Sequence, residues 1–295
     1  MNDPNSSDPI VKSRTGAQFR EIWRRFKKSR TAIFGLVLLL VFVIISITAD
    51  MIVPYEMTKV QDYDALLKGV SRTHPFGTDH IGRDIFARVI HGTRNSLFIG
   101  VGTSVVALVF GGILGAIAGY YGGRVDDWIM RILDAFMCIP AILLALAIVA
   151  ALGANMLNLM IAITIAITPS VTRLVRSVIL TIVGQDFVEA AHAYGCRDSR
   201  IIFKYILPNA MGTIIVNTTM NIASMILSAA GLSFVGMGIQ PPAPEWGSML
   251  SEAKVYMRLA PHFAIFPGIA ILLSALSFNL VGDGLRDALD PRLKD

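Results

Sequence analysis

Three observations predict an all-α polytopic membrane protein with six transmembrane helices. The 295-residue chain is 54% hydrophobic and only 16% charged, whereas soluble domains carry about 25% charged residues. The apolar residues are gathered in long uncharged stretches, and several of these reach the roughly 20 residues that a helix needs to cross a bilayer. Lys and Arg are concentrated on one side of these stretches, which is typical of a fixed orientation in the membrane.

Five uncharged stretches predict six spans, because one of them is long enough for two. Residues 135–172 run for 38 positions without a charge, which indicates two helices joined by a tight reversal at Gly153, Asn155 and Asn158. Pro169 is expected to kink the second of these helices. The predicted spans are residues 32–49, 95–123, two within 135–172, 210–234 and 263–282.

Glycines recur at every fourth position in the second predicted span. Gly111, Gly115 and Gly119 share one face of a helix, and small residues at this spacing let helix backbones approach closely in lipid. This face is therefore predicted to pack tightly against another helix.

The basic residues predict the orientation. On the side of the N-terminus lie 18 of the 26 Lys and Arg residues, so the positive-inside rule places both termini in the cytoplasm. An amphipathic interfacial helix before the first span is predicted by the spacing of Phe19, Ile22, Trp23 and Phe26 among basic residues. The predicted organisation is a cytoplasmic tail with this helix, a first span with an extracytoplasmic segment, a core of five spans with a cytoplasmic loop (177–209), and a second tail, at residues 1–30, 31–94, 95–283 and 284–295.

The sequence shows no catalytic constellation. The five histidines form no His-Glu-x-x-His pair, and there is no glycine-rich phosphate loop with Lys-Ser or Lys-Thr. His74, Asp79 and His80 could be drawn as a metal cluster, but a turn around Pro75 and Gly77 with solvated side chains is favoured. We therefore expect no catalytic residue, metal or cofactor on this chain. The net charge of +5 is assigned to membrane flanks, so no nucleic acid is expected as a partner.

A polar face runs along the fifth predicted span. Its members recur at spacings that keep them on one side of a helix, and they are Thr213, Asn217, Asn221, Ser224 and Ser228. In lipid such a face turns inward. It then either hydrogen-bonds a neighbouring helix or lines a wet translocation path, and the sequence leaves both interpretations open.

An ordered polar stretch, residues 186–209, separates the fourth and fifth spans. It predicts a short helix on the membrane surface, presented to something outside the bilayer. Its pattern is a helix-forming start, a small residue one to two turns later and a stop before the next apolar run, at Glu189-Ala190-Ala191, Gly195 and Leu207-Pro208.

This loop resembles the signature of the membrane subunits of ABC-type importers, in which Glu-Ala-Ala, Gly and Leu-Pro keep fixed distances. Every spacing is kept here, although Tyr205 stands where the family usually has an aliphatic residue. From residue 17 to its end the chain is more specifically similar to the second permease of dipeptide, oligopeptide and nickel importers. The matching segments are the amphipathic N-terminus and residues 76–84, 121–126, 244–247 and 279–291.

The resemblance implies the type I ABC importer permease fold in a prokaryotic plasma membrane, with labour divided among subunits. A homologous second permease would complete the translocation path as a heterodimer, two ATPase subunits would bind ATP and Mg²⁺, and an extracytoplasmic solute-binding protein would deliver the cargo. The loop would be a coupling helix that docks into a groove of one ATPase subunit. Candidates for contact with the binding protein or for an outer gate are Thr78, Asp79, Gly82, Arg83, Glu245 and Trp246.

The resemblance implies di- or oligopeptides as cargo, and alternatives stay open. The same type of permease could carry nickel chelates, glutathione or another small solute, because the choice of ligand would lie mainly in the binding protein. A secondary transporter or channel would work without any ATPase, and a membrane-embedded enzyme would need titratable groups at helix depth. The residues also leave open whether the two ATPases are identical and whether the permease pairs with itself.

Overall fold

The computed structural model describes residues 20–289, and the regular structure of that range is helical. Within it, a single β-bridge pairs Thr78 with Asp84. Two 3₁₀ turns cover Tyr55–Thr58 and Tyr63–Ala65, and a π-helical turn covers Ile202–Ile206. The helices in chain order are α1 (20–26), α2 (Arg30–Ile52), α3 (Ile85–Tyr121), α4 (Gly123–Met137), α5 (Ala141–Leu152), α6 (Met156–Val183), α7 (Asp186–Ala193), α8 (Asp198–Ile201), α9 (Leu207–Phe234), α10 (Trp246–Ala253) and α11 (His262–Leu289).

In the described part of the chain, five helical segments are long and apolar enough to cross a membrane, and α4 with α5 makes a sixth if this bent pair is one span. The pair meets at 78°, so the third span is not the straight helix from residue 135 that the sequence predicts. Pro140 precedes α5, whose 12 residues extend only about 18 Å. α5 is therefore too short to cross a bilayer alone.

The second span begins earlier than predicted, at Ile85 rather than at residue 95. The Asp84 carboxylate caps α3 by accepting a hydrogen bond from the Ala87 backbone N–H at 2.7 Å. The additional turns contain Arg88 and His91, whose polarity is typical of a loop. Both side chains are buried and bind partners inside the fold, and this is why hydropathy misplaced the boundary.

α3 packs along α6 through its glycine face, as predicted. A Cβ atom added at Gly115 would lie 2.6 Å from the carbonyl oxygen of Thr172, and one at Gly119 would lie 2.9 Å from the side chain of Ile179. Gly111 is equally close to α6. The two backbones therefore touch without an intervening layer of side chains, and the prediction of close approach is confirmed.

The predicted reversal between α5 and α6 is also confirmed. Gly153 follows α5 with a φ of 91°, a backbone conformation that glycine adopts without steric cost. The Asn155 side chain then caps α6 by accepting a hydrogen bond from the Asn158 backbone N–H at 2.9 Å. α6 continues past Pro169 to Val183, so the first residues of the predicted 177–209 loop belong to this helix.

The first described helix lies against the last one. Phe26 of α1 is buried in a cluster with Ala32, Val281 and Ala288. Part of the predicted interfacial helix is therefore packed on α11, while Phe19 lies outside the described residues. The two ends of the described chain consequently lie on the same side of the helical bundle.

That side also carries the 184–206 loop, because α9 begins beside the end of α11: a Cβ atom added at Gly212 would lie 3.6 Å from Leu289. We call it the loop end. The other side, formed by residues 53–84 and 235–261, is called the opposite end.

Replacing Gly115 by Ala should destabilise the protein, because the added methyl group would collide with the Thr172 carbonyl. Overpacking of this kind costs about 1–3 kcal/mol. Gly112→Ala is the matched control: its Cβ would meet only the tip of Leu108, 3.9 Å away, and helix propensity favours Ala there by about 0.5–1 kcal/mol. Thermal unfolding in detergent measures both variants, and equal shifts would contradict the tight contact at Gly115.

Candidate functional site: the loop helix and the polar face of α9

The loop helix α7 is anchored on one side. Val188 and Ala191 are buried in a cluster that includes Ile179 of α6 together with Ile201 and Ile206 from the segment after the loop. These positions are three residues apart on α7, so they share a face. The loop is therefore a packed extension of the bundle and not a free connection.

The other side of the loop is exposed. Glu189 and Ala190 face outward, and beside them stand two large aromatic side chains, Tyr194 at 89% exposure and Phe203 at 71%. Ala191 points inward, so only the first two members of the Glu-Ala-Ala triplet are presented. Exposed aromatic side chains are typical of the centres of protein interfaces, and the Glu189 carboxylate adds a charge beside them.

Gly195 ends α7 in a left-handed conformation with a φ of 68°. The Cys196 backbone N–H donates to the Ala191 carbonyl at 3.1 Å, which is the six-to-one bond of a Schellman motif. A Cβ atom at Gly195 would meet nothing within 4 Å in this chain. The turn itself, and not crowding by this chain, therefore requires glycine here.

Polar contacts tie the loop to the neighbouring helices. The Tyr120 hydroxyl of α3 donates to Asp198 at 2.9 Å, and its ring stacks on His192 with centroids 6.0 Å apart. Arg173 and Arg176 of α6 bind carboxylates of α4, Asp134 and Asp126 respectively. Polar contacts therefore attach the loop to α3, and ion pairs attach α6 to α4.

Pro208 does not interrupt the chain's helical path. α8, the π-helical turn and α9 follow one another without a break. Proline lacks an N–H and its ring clashes with the carbonyl four residues earlier, and the wider π turn directly before it accommodates both defects. The loop therefore joins α9 through continuous helix, with Leu207-Pro208 at the junction.

The polar face of α9 lies partly on the surface of this chain and partly inside it, where Asn221 lines a small pocket with Ser104 of α3. Thr213 and Ser224 are exposed, and Asn217, Asn221 and Ser228 are half-buried. The Asn217 amide donates to its own helix, at the Thr213 carbonyl, at 2.8 Å. Within residues 20–289, none of the five side chains bonds to another helix.

The large cavity between α3, α4 and α6 is not suited to a polar solute. It measures about 520 Å³ and opens between apolar side chains, among them Phe110, Phe136 and Ile161. A second cavity, of about 330 Å³, lies on the polar face of α9 and includes Thr213 and Asn217. Polar lining is thus concentrated on α9.

At the opposite end, Asp79 and Arg83 belong to a buried four-charge cluster. Asp79 accepts from Arg83 Nε at 2.6 Å and from Arg88 at 2.8 Å, and Glu252 of α10 accepts from Arg88 at 2.7 Å and from Arg83 at 2.5 Å. The two arginines and two carboxylates compensate one another. The cluster joins the segment before α3 to α10.

Thr78 and Gly82 shape the turn that carries this cluster. The Thr78 hydroxyl donates to the Ala65 carbonyl and accepts from the Lys68 backbone N–H. Gly82 has a φ of 81°, and a Cβ atom there would lie 1.9 Å from the Asp62 carbonyl oxygen. The turn therefore depends on both residues.

Glu245 and Trp246 connect α10 to α3. The Glu245 carboxylate caps α10 by accepting from the Gly247 and Ser248 backbone N–H groups, each at 2.8 Å. Burial raises the pKa of Glu245, and these two hydrogen bonds oppose the shift. The Trp246 indole donates to the Val89 carbonyl at 3.0 Å.

All six outer candidates are therefore buried, and their side chains support the fold. Contact with a binding protein stays a prediction, and such a partner would meet the surface that these residues support.

The sequence predicts a turn around Pro75 and Gly77 with solvated side chains. The turn is present, but the prediction of solvated side chains is wrong. Gly77 does turn the chain, with a φ of 79°, but Asp79 is fully buried and His74 bonds to Asp84 at 2.7 Å. Ligand atoms of Asp79, His80 and Glu252 lie within 4.8 Å of one another. The donor set does not fit a metal, because Arg83 and Arg88 already neutralise both carboxylates.

Comparison with known proteins agrees with this architecture. Residues 111–295 match the family described as binding-protein-dependent transport system inner membrane component. Residues 17–69 match the N-terminal transmembrane domain of oligopeptide transport permease C. An inward-facing structure of the MetNI methionine ABC transporter aligns with a TM-score of 0.57 at 17% identity, covering 69% of this chain and 97% of that chain, which supports the fold alone.

Two curated relatives align over nearly the whole chain. The glutathione transport system permease protein GsiD of Pectobacterium atrosepticum is 44% identical over 287 residues, covering 97% of this chain and 95% of the relative. The dipeptide transport system permease protein DppC of Alkalihalophilus pseudofirmus is 44% identical over 292 residues, covering 99% and 96%.

The helical bundle and these matches define a membrane-spanning transport subunit. The chain belongs to the inner-membrane components of binding-protein-dependent transport systems, and it is a permease subunit of an ABC importer, of the second-permease type. It is a translocation subunit without catalysis of its own and a multi-pass protein of the prokaryotic plasma membrane.

Glu252→Gln should lower stability strongly, because it leaves Arg83 and Arg88 with too little negative charge in a buried site. Breaking a buried ion pair costs about 3–5 kcal/mol. Glu56→Gln is the control: Glu56 is 77% exposed and pairs with Lys59, so its loss should cost less than about 1 kcal/mol. Chemical or thermal unfolding of the purified variants separates the two, and a small effect for Glu252→Gln would show that the cluster is not structural.

Proposed function

We propose that this permease forms, with a second homologous permease, the translocation path for di- or oligopeptides delivered by a solute-binding protein. Two separate ATPase subunits, which bind ATP and Mg²⁺, drive transport, and this chain binds no cofactor. The relative named for dipeptide transport aligns over 99% of the chain. The relative named for glutathione transport aligns almost as fully, so glutathione, itself a small peptide, is the second candidate cargo.

The exposed side of the loop is the docking surface for an ATPase subunit. The observation that carries this proposal is the division of α7 into a buried face at Val188 and Ala191 and an exposed face at Glu189 and Ala190. Glu189 is free to pair with a basic group of the partner. Gly195 shapes the end of the helix and leaves open space beside it, into which a partner surface could fit.

The polar face of α9 lines the path. Its side chains are exposed or half-buried, and their hydrogen-bonding groups find no other helix of the described chain. Polar groups in hydrocarbon are costly, so this face needs either water or the second permease beside it. A path between two permeases supplies both.

Movement of the ATPase subunits is then coupled to the translocation path through continuous helix. ATP binding closes the ATPase subunits and displaces the docked loop, and α8, the π turn and α9 carry the displacement into the path. This is a packed element with two arrangements, switched by a ligand bound on another subunit. The excess of Lys and Arg at the loop end favours a cytoplasmic position for that end, where ATP is available.

Glu189→Lys and Tyr194→Ala should each weaken association with the ATPase subunits. Central interface residues contribute about 2 kcal/mol or more, which corresponds to roughly 30-fold in affinity. Glu56→Lys, the same charge change at the opposite end, serves as the control. Copurification and ATPase activity stimulated by the loaded binding protein provide the readouts, and unaltered assembly in both loop variants would rule out docking through this face.

Cysteines at Asn217 and Asn221 should react with membrane-impermeant thiol reagents in at least one state of the ATP cycle, because a wet path admits them. Ile215→Cys is the control on the same helix, since Ile215 is exposed but lies off the polar face and should meet lipid. Native Cys138 and Cys196 are first replaced by Ala. If Asn217→Cys and Asn221→Cys stay as unreactive as Ile215→Cys throughout, the path lies elsewhere.

Transport assays with the cognate binding protein identify the cargo. Uptake of labelled dipeptide by vesicles holding the complete complex, competed by glutathione, ranks the two solutes, and nickel chelates are tested in the same way. Vesicles that lack the ATPase subunits should take up nothing. Uptake by those vesicles would favour a secondary transporter or channel.

A further inference from the structure

The lining of the polar cavity at the loop end includes one cationic side chain, that of Arg286. The cavity lies between the start of α9 and the end of α11, and its polar lining is Thr213, Asn217 and Arg286. Val216 and Met220 supply apolar wall. Among residues 20–289, no acidic side chain lines it. The lining therefore presents a guanidinium, a hydroxyl and an amide beside two apolar side chains.

Arg286 has an exposed side chain and no partner among the described residues. Two acidic residues stand near it in sequence, Asp283 and Asp287, yet among residues 20–289 it makes no ion pair or hydrogen bond. Other arginines at the loop end, Arg173 and Arg176, are paired with carboxylates of α4. An arginine without a partner in residues 20–289, beside hydroxyl and amide groups, is suited to bind an anion.

The anion best matched to this lining is a carboxylate. The planar guanidinium binds carboxylate in a two-pronged arrangement, and a threonine hydroxyl and an asparagine amide add neutral donors. Thr213 and Asn217 belong to the polar face of α9, so a carboxylate bound here would stand at the loop end of the translocation path. Peptides and glutathione both carry a carboxylate.

We propose that Arg286, with Thr213 and Asn217, binds the carboxylate of the cargo where it leaves the path, and so acts as a specificity-determining site for anionic ends. This inference rests on the proposed function. The permease then contributes to the selectivity of transport. Dipeptides and glutathione share a carboxylate, which explains why relatives of one permease type are named for either cargo.

The charge of the cavity is tested first, in the assembled complex in phosphatidylcholine vesicles. Thr213→Cys, with Cys138→Ala and Cys196→Ala, is reacted with a sulfonate-bearing and a trimethylammonium-bearing methanethiosulfonate. The ratio of the two rates should favour the anionic reagent about tenfold more with Arg286 than with Arg286→Gln. Ser224→Cys, farther along the same face, is the control and should show no change in this ratio.

Recognition of the carboxylate is tested second. Dialanine and S-methylglutathione should slow modification of Thr213→Cys, and dialaninamide should not. Arg286→Gln should abolish this protection, whereas Arg286→Lys, which keeps the charge but loses the planar fork, should retain part of it. Copurification with the ATPase subunits shows that each variant is assembled.

Each outcome bears on the proposal. Equal protection by dialanine and its amide, or protection that survives Arg286→Gln, would overturn it. Protection that appears only when phosphatidylglycerol is added to the vesicles would make the cavity a lipid-phosphate site and also overturn it. Failure of the wild-type complex to take up any solute would instead refute the proposed function, because thiol protection is measured without transport.

Discussion

The contact between the backbones of α3 and α6 is the constraint on which both ends of the molecule depend. Gly111, Gly115 and Gly119 leave no side-chain layer between these helices, so neither can slide without a steric clash. α3 begins in the buried charges of the opposite end, and α6 leads directly into the loop helix. In lipid, where apolar side chains gain little from leaving the solvent, such close packing is a main source of helix association. The glycine face thus supplies a stiff frame against which the loop and α9 can move.

The opposite end is stabilised by charges that hydropathy assigns to water. Arg83, Arg88, Asp79 and Glu252 are brought together with equal numbers of each sign, and each carboxylate accepts from both arginines. Desolvation of a charge costs several kcal/mol, so a cluster of this kind is stable only when every member is paired. The consequence is that residues which resemble an exposed recognition loop are internal supports. The charged cluster and the Trp246 indole attach α10 to α3. These buried contacts support the outer surface.

The loop is packed on the bundle and is joined to the polar face of α9 by continuous helix. Buried apolar contacts and the Tyr120–Asp198 bond attach the loop to the bundle, while Glu189, Tyr194 and Phe203 remain available to a partner. The π turn before Pro208 lets the helix continue into the polar face without a flexible break. At the start of that face lies the cavity with Arg286. The proposed path and the proposed cargo-binding site therefore begin where the loop joins α9.

The sequence by itself determined the helical membrane class, the reversal at Gly153, the glycine face and the positions of the loop helix and polar face. Each of these depends on hydropathy or spacing among residues close together in the chain. The tertiary structure alone decided where α3 begins, that α4 and α5 bend, that Ala191 faces inward and that Asp79, Arg83, Glu245 and Trp246 are buried. The physical reason is that these features depend on distant partners. Arg88 meets Glu252, 164 residues away, and Asp126 meets Arg176, 50 residues away, and local pattern carries no record of either pairing.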